Sequence, residues 1–357
     1  MTIVMCIYDA VHYSCDKSFG IIISEQNKRN KQPEAETQIK RRNEMGNTVV
    51  SIDNLVKRYG ENVAVDHFSL NIEEGEILGL LGPNGSGKTT TINCLLSLLT
   101  FDKGDIKIWG KEMSPDAYDI KSQIGVVMQN VAVIETLNVY ENVDFFCGLY
   151  IKDKATRKQY VEEALEFTGL TEFKKQKPKK LSGGLLRRLN IACGIAHKPK
   201  LVIFDEPTVA VDPQSRNAIL EGIKKMNKAG ATVIYTSHYM EEVEELCSRV
   251  VIMDHGKNIA NGTTNELKSS LISREKIRIG LPDKSPEILA GLKEINHVYK
   301  VKEDGDDVVI KCDGGEHNLV HVLSYLTDNN VPFGRVTTEL PTLNDVFLEI
   351  TGKELRD

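Results

Sequence analysis

Two stretches of the chain carry residue types spaced for phosphate chemistry. The first reads Gly82-Pro83-Asn84-Gly85-Ser86-Gly87-Lys88-Thr89-Thr90 and fits the pattern GxxxxGK[ST]. Glycines in such a loop let backbone N–H groups turn inward around phosphate oxygens. The helix that must follow points its positive end at the same place. Lys88 is expected to reach the β- and γ-phosphates of ATP, and the Thr89 hydroxyl to ligate Mg²⁺. The second stretch, Leu201-Val202-Ile203-Phe204-Asp205-Glu206, is an apolar run that ends in two carboxylates. Asp205 is expected to hold Mg²⁺, directly or through water. Glu206 is expected to polarise the attacking water as general base. An Asp-Glu pair after a strand is, by itself, as often a solvated loop; its place downstream of the phosphate loop gives it weight.

Those two elements occur in many nucleotide hydrolases. A third is more discriminating: Leu181-Ser182-Gly183-Gly184-Leu185 lies between them. It resembles the LSGGQ signature of ATP-binding-cassette (ABC) proteins. Ser182 and the Gly183 and Gly184 amides, at a helix N-terminus, would form a second anion cradle. In that family the cradle faces the γ-phosphate held by the opposite protomer. Further landmarks follow in the family's order. Tyr59 matches the aromatic that stacks on adenine, and Gln129 the glutamine that senses Mg²⁺ and contacts a membrane domain. Asp212 matches the aspartate placed across the dimer, and His238, in Thr236-Ser237-His238, the switch histidine that contacts the γ-phosphate. The resemblance covers roughly residues 49–267. Two positions depart from it: Leu185 stands where the signature has Gln, and Ala210 where a glycine is common. Leu185 leaves the phosphate-binding amides in place, and the Ala210 methyl is expected to tighten the dimer contact.

The elements that must position these residues are legible in the hydrophobic pattern. Val49–Leu55 and His67–Ile72 alternate as strands, and Glu76–Leu81 is an apolar run that feeds the phosphate loop. Helices are expected over Thr89–Leu99, Thr136–Tyr150 and Tyr160–Gly169, and a short strand over Ile124–Met128. Leu201–Phe204 and Thr232–Thr236 are apolar or β-branched throughout, which suits parallel strands covered on both faces. The fold class is therefore α/β, with a largely parallel sheet. The resemblance implies a P-loop NTPase cassette with a RecA-like core, an antiparallel β subdomain and a helical signature subdomain.

Beyond residue 268 the pattern changes to strand, helix, strand, strand, helix, strand, then a final helix over Thr342–Ile350. This order suggests a small α+β domain of ferredoxin-like topology. Three regions follow: an extension over 1–44, a nucleotide-binding domain over 45–267 and an accessory C-terminal domain over 268–357. The extension ends in a polar, charged stretch and reads as disordered, or as residues that precede a true start at Met45.

Composition excludes some functions. A net charge of -6 argues against a nucleic-acid binder working through a basic face, so no nucleic-acid partner is expected. No apolar run reaches the length of about 18 residues that spans a bilayer. The seven cysteines include no CxxC pair and read as free thiols in a reducing compartment. Pro341 to Gly352 and the segments Glu206–Pro213 and Ser237–Glu244 are similar to those of bacterial drug, antibiotic or polysaccharide exporter subunits. The resemblance implies a homodimer or a pairing with a paralogous cassette. It also implies a separate membrane permease as partner and a peripheral place on the cytoplasmic face of the membrane. The alternative is a soluble cassette ATPase of translation or DNA repair. The first of these usually carries two cassettes, whereas one P-loop is present here; the second needs a long coiled coil, and no sustained heptads separate Lys88 from Leu181.

Overall fold

The computed structural model describes residues 48–269, 275–313, 317–339 and 341–351. The extension over 1–44 and the Met45 start lie outside the described residues.

A long hairpin opens the fold, β1 (Thr48–Tyr59) against β2 (Asn62–Glu73). With β4 (Lys103–Ile108) and β5 (Lys111–Glu112) it makes a four-stranded antiparallel sheet, ordered β2-β1-β4-β5. A second sheet, of six strands, joins β3 (Ile77–Leu81), β6 (Ile124–Val127), β7 (Leu201–Asp205), β8 (Thr232–Ser237), β9 (Arg249–Asp254) and β10 (Lys257–Gly262). Its order is β10-β9-β3-β8-β7-β6, with β10 antiparallel at the edge and the other five parallel.

The apolar strands are explained by what covers them. Leu201 and Ile203 of β7 face a core shared with the antiparallel sheet and with α1 (Lys88–Leu95). Val202 and Phe204 face the opposite core. Neither face meets water, so neither carries polar residues. Between β5 and β6 lies α2 (Tyr118–Lys121). A third cluster is helical, built by α3 (Val139–Gly148), α4 (Lys154–Phe167) and α5 (Gly183–Ile195). Helix α5 is shared: Leu189, Ala192 and Cys193 pack in the helical cluster, while Ile191 and Ile195 pack beneath the parallel sheet. That sheet is also backed by α6 (Pro213–Lys228) and α7 (Met240–Leu246). The five described cysteines, Cys94, Cys147, Cys193, Cys247 and Cys312, are free and buried.

Helix ends depart from the expected bounds for local reasons. Helix α1 stops at Leu95 instead of Leu99. There the Ser97 and Leu98 amides donate back to Cys94 and Asn93, and Ser97 takes a left-handed backbone at φ 51. This is a Schellman stop built without the usual glycine, so no glycine announces it. Helix α3 starts after Asn138, not at Thr136, because Asn138 and Glu141 form a reciprocal capping box. Helix α4 starts at Lys154, earlier than Tyr160, because the Asp153 carboxylate caps Thr156.

After α8 (Thr264–Ser269) comes a third sheet, from β11 (Lys276–Gly280), β12 (Val298–Asp304), β13 (Asp307–Cys312) and β14 (Val336–Glu339), ordered β12-β13-β11-β14 and antiparallel throughout. With α9 (Pro286–Glu294) and α10 (Asn318–Asp328) the connections run β-α-β-β-α-β, a split β-α-β topology. Its cluster, with Ile277, Ile310 and Val322, is separate from those of the cassette. The final helix, α11 (Leu343–Thr351), behaves differently. Its Leu343, Val346 and Phe347 join the cluster beneath the parallel sheet, and the Leu343 amide donates to Glu244 of α7 at 2.7 Å. The last helix of the C-terminal segment is thus part of the cassette's core.

Candidate functional site

Buried β3 delivers the chain to Gly82, where a side chain has no room. A Cβ there would sit 2.2 Å from the Met253 carbonyl and 2.7 Å from Ser86 Oγ. Gly87 begins α1 at φ 107, a conformation L side chains avoid, and its Cβ would lie 2.5 Å from the Ala64 carbonyl. Helix α1 has no side-chain cap and no acidic residue in its first turn, so nothing of its own competes for an anion at its N-terminus. Ser86 is buried and its Oγ has no hydrogen-bond partner. Lys88 folds back across the loop and donates to the Gly82 carbonyl at 2.8 Å and the Pro83 carbonyl at 3.2 Å. Burial pulls the Lys88 ammonium below its ordinary pKa, and the Glu206 and Asp205 charges oppose this.

The two carboxylates at the end of β7 face different partners. Asp205 Oδ2 accepts from Thr89 Oγ1 at 3.0 Å, and Oδ1 from Thr236 Oγ1 at 2.7 Å. Asp205 thus stands at the first turn of α1, beside the phosphate loop. Glu206 has a left-handed backbone, φ 48, held by a bond from its amide to Thr236 Oγ1 at 2.9 Å. Such a conformation costs of order 1–3 kcal/mol in a non-glycine residue and is kept where surroundings over-determine it. Around the Glu206 carboxylate stand three groups from three other elements. Gln129 Nε2 donates to it at 3.1 Å, Lys88 Nζ lies at 3.5 Å and His238 Nδ1 at 3.5 Å. His238 makes no hydrogen bond through that nitrogen.

Behind His238 lies a polar cluster that the sequence reading missed. The buried Glu242 carboxylate of α7 accepts from Thr208 Oγ1 at 2.7 Å, Tyr235 Oη at 2.7 Å and Ser237 Oγ at 3.2 Å. Arg216 Nε of α6 stands 3.1 Å away, close enough for charge attraction though not aligned as a hydrogen bond. Burial first, and Glu242 beside it, raise the Tyr235 pKa far above its ordinary range, so the hydroxyl stays a donor. The available signal was three hydroxyl residues on strands and loops otherwise buried, which need an acceptor. Thr236, too, was missed as the hinge between Asp205 and Glu206.

The signature residues stand apart. Ser182 caps α5 by accepting from the Leu185 amide at 3.3 Å. Gly183 is exposed and open, whereas a Cβ at Gly184 would strike Ser215 Oγ at 2.4 Å and Asp212 Oδ2 at 2.8 Å. Gly184 therefore lets the start of α5 close on the start of α6, which Asp212 caps through the Ser215 amide at 2.9 Å. The Ser215 bonds hold the Asp212 carboxylate below its ordinary pKa. The two helix N-termini adjoin: that of α6 is occupied by the Asp212 carboxylate, and that of α5 carries only the neutral Ser182 cap. Among the described residues no hydrogen bond joins Ser182, Gly183, Gly184 or Asp212 to Lys88, Gln129, Asp205, Glu206 or His238. Tyr59 sits at the exposed tip of the β1–β2 hairpin, with Lys57 Nζ 5.1 Å from its ring centre. Leu185, where the signature has Gln, packs on the helical cluster. Ala210 adopts φ 58, which explains why a glycine suits that position.

The chain is similar to known proteins over most of its length. The model of the ABC transporter family matches residues 65–209. That of the C-terminal domain of DrrA1-3-like ATP-binding proteins matches residues 262–351. The linearmycin resistance ATP-binding protein LnrL of Bacillus subtilis is 39% identical over 311 residues, 87% of this chain and 100% of that protein. Nod factor export ATP-binding protein I of Ralstonia nicotianae is 32% identical over 312 residues, 87% and 95% of the two chains. A dimeric ATP-binding cassette solved in a post-hydrolysis state with ADP and Pi superposes at a TM-score of 0.55 and 28% identity, covering 60% of this chain and 98% of that one. The chain belongs to the ATP-binding subunits of the ABC transporter family. It is an ATPase cassette carrying a DrrA-like C-terminal domain.

Proposed function

We propose that this chain is the ATP-hydrolysing motor subunit of an ABC exporter. In this reading it dimerises head-to-tail, with itself or a paralogous cassette, around two ATP molecules and drives a separate membrane permease. The observation that carries the catalytic part is the gathering of Lys88, Gln129 and His238 within 3.5 Å of the Glu206 carboxylate. Glu206 takes the proton of the attacking water as general base. His238 and Lys88 hold the γ-phosphate, and the amides of Gly82 to Thr90 cradle the phosphate chain. Tyr59 stacks on adenine.

Mg²⁺ fits the Thr89 hydroxyl and Asp205 carboxylate, two hard oxygen donors 3.0 Å apart, with Gln129 alongside. When bound, it neutralises developing charge on the phosphates. Ser182, Gly183, Gly184 and Asp212 form the half-site that closes on the partner's ATP: among the described residues no hydrogen bond joins them to their own chain's phosphate site, and Ser182 and Gly183 stand exposed at the N-terminus of α5. The domain division at about residue 268 follows the change of cluster, with α11 returning to the cassette.

Relatives named for linearmycin resistance and Nod factor export support the exporter reading over a translation or DNA-repair role. No described helix is long and apolar enough to cross a membrane, and in this reading a separate permease supplies the pathway. In this reading the subunit sits peripherally on the cytoplasmic face of the membrane. The test is to purify the protein from native membranes. A co-purifying multi-span permease, with ATPase activity stimulated by added drugs, is expected. Stimulation by ribosomes or DNA, and not by membranes, would overturn the exporter reading.

A further inference from the structure

Helix α5 starts at the exposed Ser182 and Gly183, and its second turn passes directly behind the Glu206 site. Arg187 stands in that turn, on the buried stripe shared with Gly184, Asn190 and Ile191. A charged residue on a buried stripe needs a reason, since its desolvation must be offset by bonds. Here the reason is explicit. Arg187 Nε donates to the Pro207 carbonyl at 2.7 Å, and Nη2 to the Glu206 carbonyl at 2.5 Å. Nη1 donates to the Gln129 carbonyl at 2.7 Å and the Met128 carbonyl at 3.1 Å. One planar guanidinium, 4% exposed, therefore grips the backbones of the two loops whose side chains meet at 3.1 Å. Neighbouring Asn190 holds only the Gln129 loop, its side-chain Oδ1 accepting from the Ala132 amide at 3.0 Å and its Nδ2 donating to the Met128 carbonyl at 3.4 Å.

We propose that Arg187 is a positioning residue that ties the signature helix to the backbones of Gln129 and Glu206, so that occupation of the Ser182–Gly184 end of α5 sets where the Glu206 carboxylate and Gln129 amide stand. The proposal rests on the assignment of Glu206 as general base. It follows from geometry that Glu206 needs such a hold. Its left-handed backbone is fixed at the amide by Thr236 and at the carbonyl by Arg187. Releasing the carbonyl lets the residue relax toward an ordinary conformation and swings the carboxylate away from Lys88 and His238. A lysine keeps the charge, but one ammonium cannot fork across two loops.

Arg187→Lys separates these roles. The expected result is a kcat per folded molecule lowered tenfold or more, with KM for ATP within threefold of the parent. In a Glu206→Gln background the same change is expected to alter the residual single-turnover rate by less than twofold, because the group it positions is already disabled. An unchanged kcat per folded molecule, or a loss that multiplies fully on top of Glu206→Gln, would overturn the proposal. If Arg187→Lys does not fold, hydrogen exchange on Glu206→Gln protein with native Arg187 decides the matter. ATP is expected to slow exchange over 183–186, 128–132 and 206–209 together; protection at 183–186 alone would refute the link. Failure of the general-base assignment is separately visible, as wild-type hydrolysis by Glu206→Gln before Arg187 is touched.

Discussion

Two buried carboxylates, Glu206 and Glu242, lie on either side of the Ser237-His238 segment and are held in opposite ways. Glu242 is surrounded by three hydroxyl donors at hydrogen-bond distance and a guanidinium. Glu206 receives one amide donor and has two nitrogens at 3.5 Å, one of them without any hydrogen bond. Its backbone is also left-handed. A carboxylate with one oxygen held by three hydroxyls, the other facing a guanidinium, and an ordinary helical backbone is a fixture. One that is under-bonded, strained and faced by a lysine and an imidazole is poised to exchange partners with a substrate. The contrast separates the working carboxylate from the one that holds the loop behind it.

The sharpest way to break the comparison is to neutralise both. Glu206→Gln is expected to lower ATP hydrolysis by about 10²–10⁴-fold, the usual worth of a general base, while a stable ATP-bound dimer accumulates. Phosphate release and size-exclusion chromatography with ATP check this; undiminished release removes Glu206 from the mechanism.

A buried titratable group outside both clusters sets the scale for a purely structural role. His197 stacks on Tyr150 with ring centres 4.2 Å apart, and Nε2 lies 3.2 Å from the Ile124 carbonyl. Burial lowers its pKa from 6.5 to about 4. The unfolded chain takes up a proton near pH 6.5, and the folded chain resists until about pH 4. This contribution, about 3 kcal/mol, is whole above pH 6.5 and is lost as pH falls toward 4. Urea unfolding of wild type across that window should show the loss, and His197→Phe should flatten it. Equal slopes in the two proteins would contradict the assignment.

Glu242→Ala is expected to destabilise the fold by about 2 kcal/mol, less than a fully buried pair because Arg216 is partly exposed. Activity per folded molecule should stay within about fivefold. A loss comparable to that of Glu206→Gln at unchanged stability would erase the distinction between the two carboxylates. Ala210→Gly is the smallest change. It relieves a left-handed alanine but frees the unfolded chain, so the net gain is expected below about 1 kcal/mol. Denaturant midpoints measure it, and a clear destabilisation would mean the methyl packs usefully.

Much of this was legible in the chain because each chemical element is local. A P-loop needs a strand, glycines and a helix start within about a dozen residues, and Gly82 to Thr89 supplies them in order. Thr342 and Asp345 likewise announce the start of α11, and their side chains cap one another's amides as the spacing requires. Harder to read was anything whose reason lies far along the chain. Ser97 ends α1 without a glycine, because its left-handed turn is stabilised by backbone bonds to Asn93 and Cys94. Arg187 and Arg188 are adjacent residues of one type on α5, yet Arg187 reaches the Gln129 and Glu206 backbones, while Arg188 faces Ser215.

The sequence by itself determined the α/β class, the phosphate loop, the paired carboxylates and the order of landmarks, since these depend on residue type and short spacing. Only the tertiary structure decided that Lys88, Gln129 and His238 meet at Glu206, that three hydroxyls converge on one oxygen of Glu242, and that α11 closes on the cassette. Those contacts gather residues as far apart in the chain as Lys88 and Glu206, or Leu343 and Leu81 of one cluster, and pattern along a chain carries no record of which elements become neighbours.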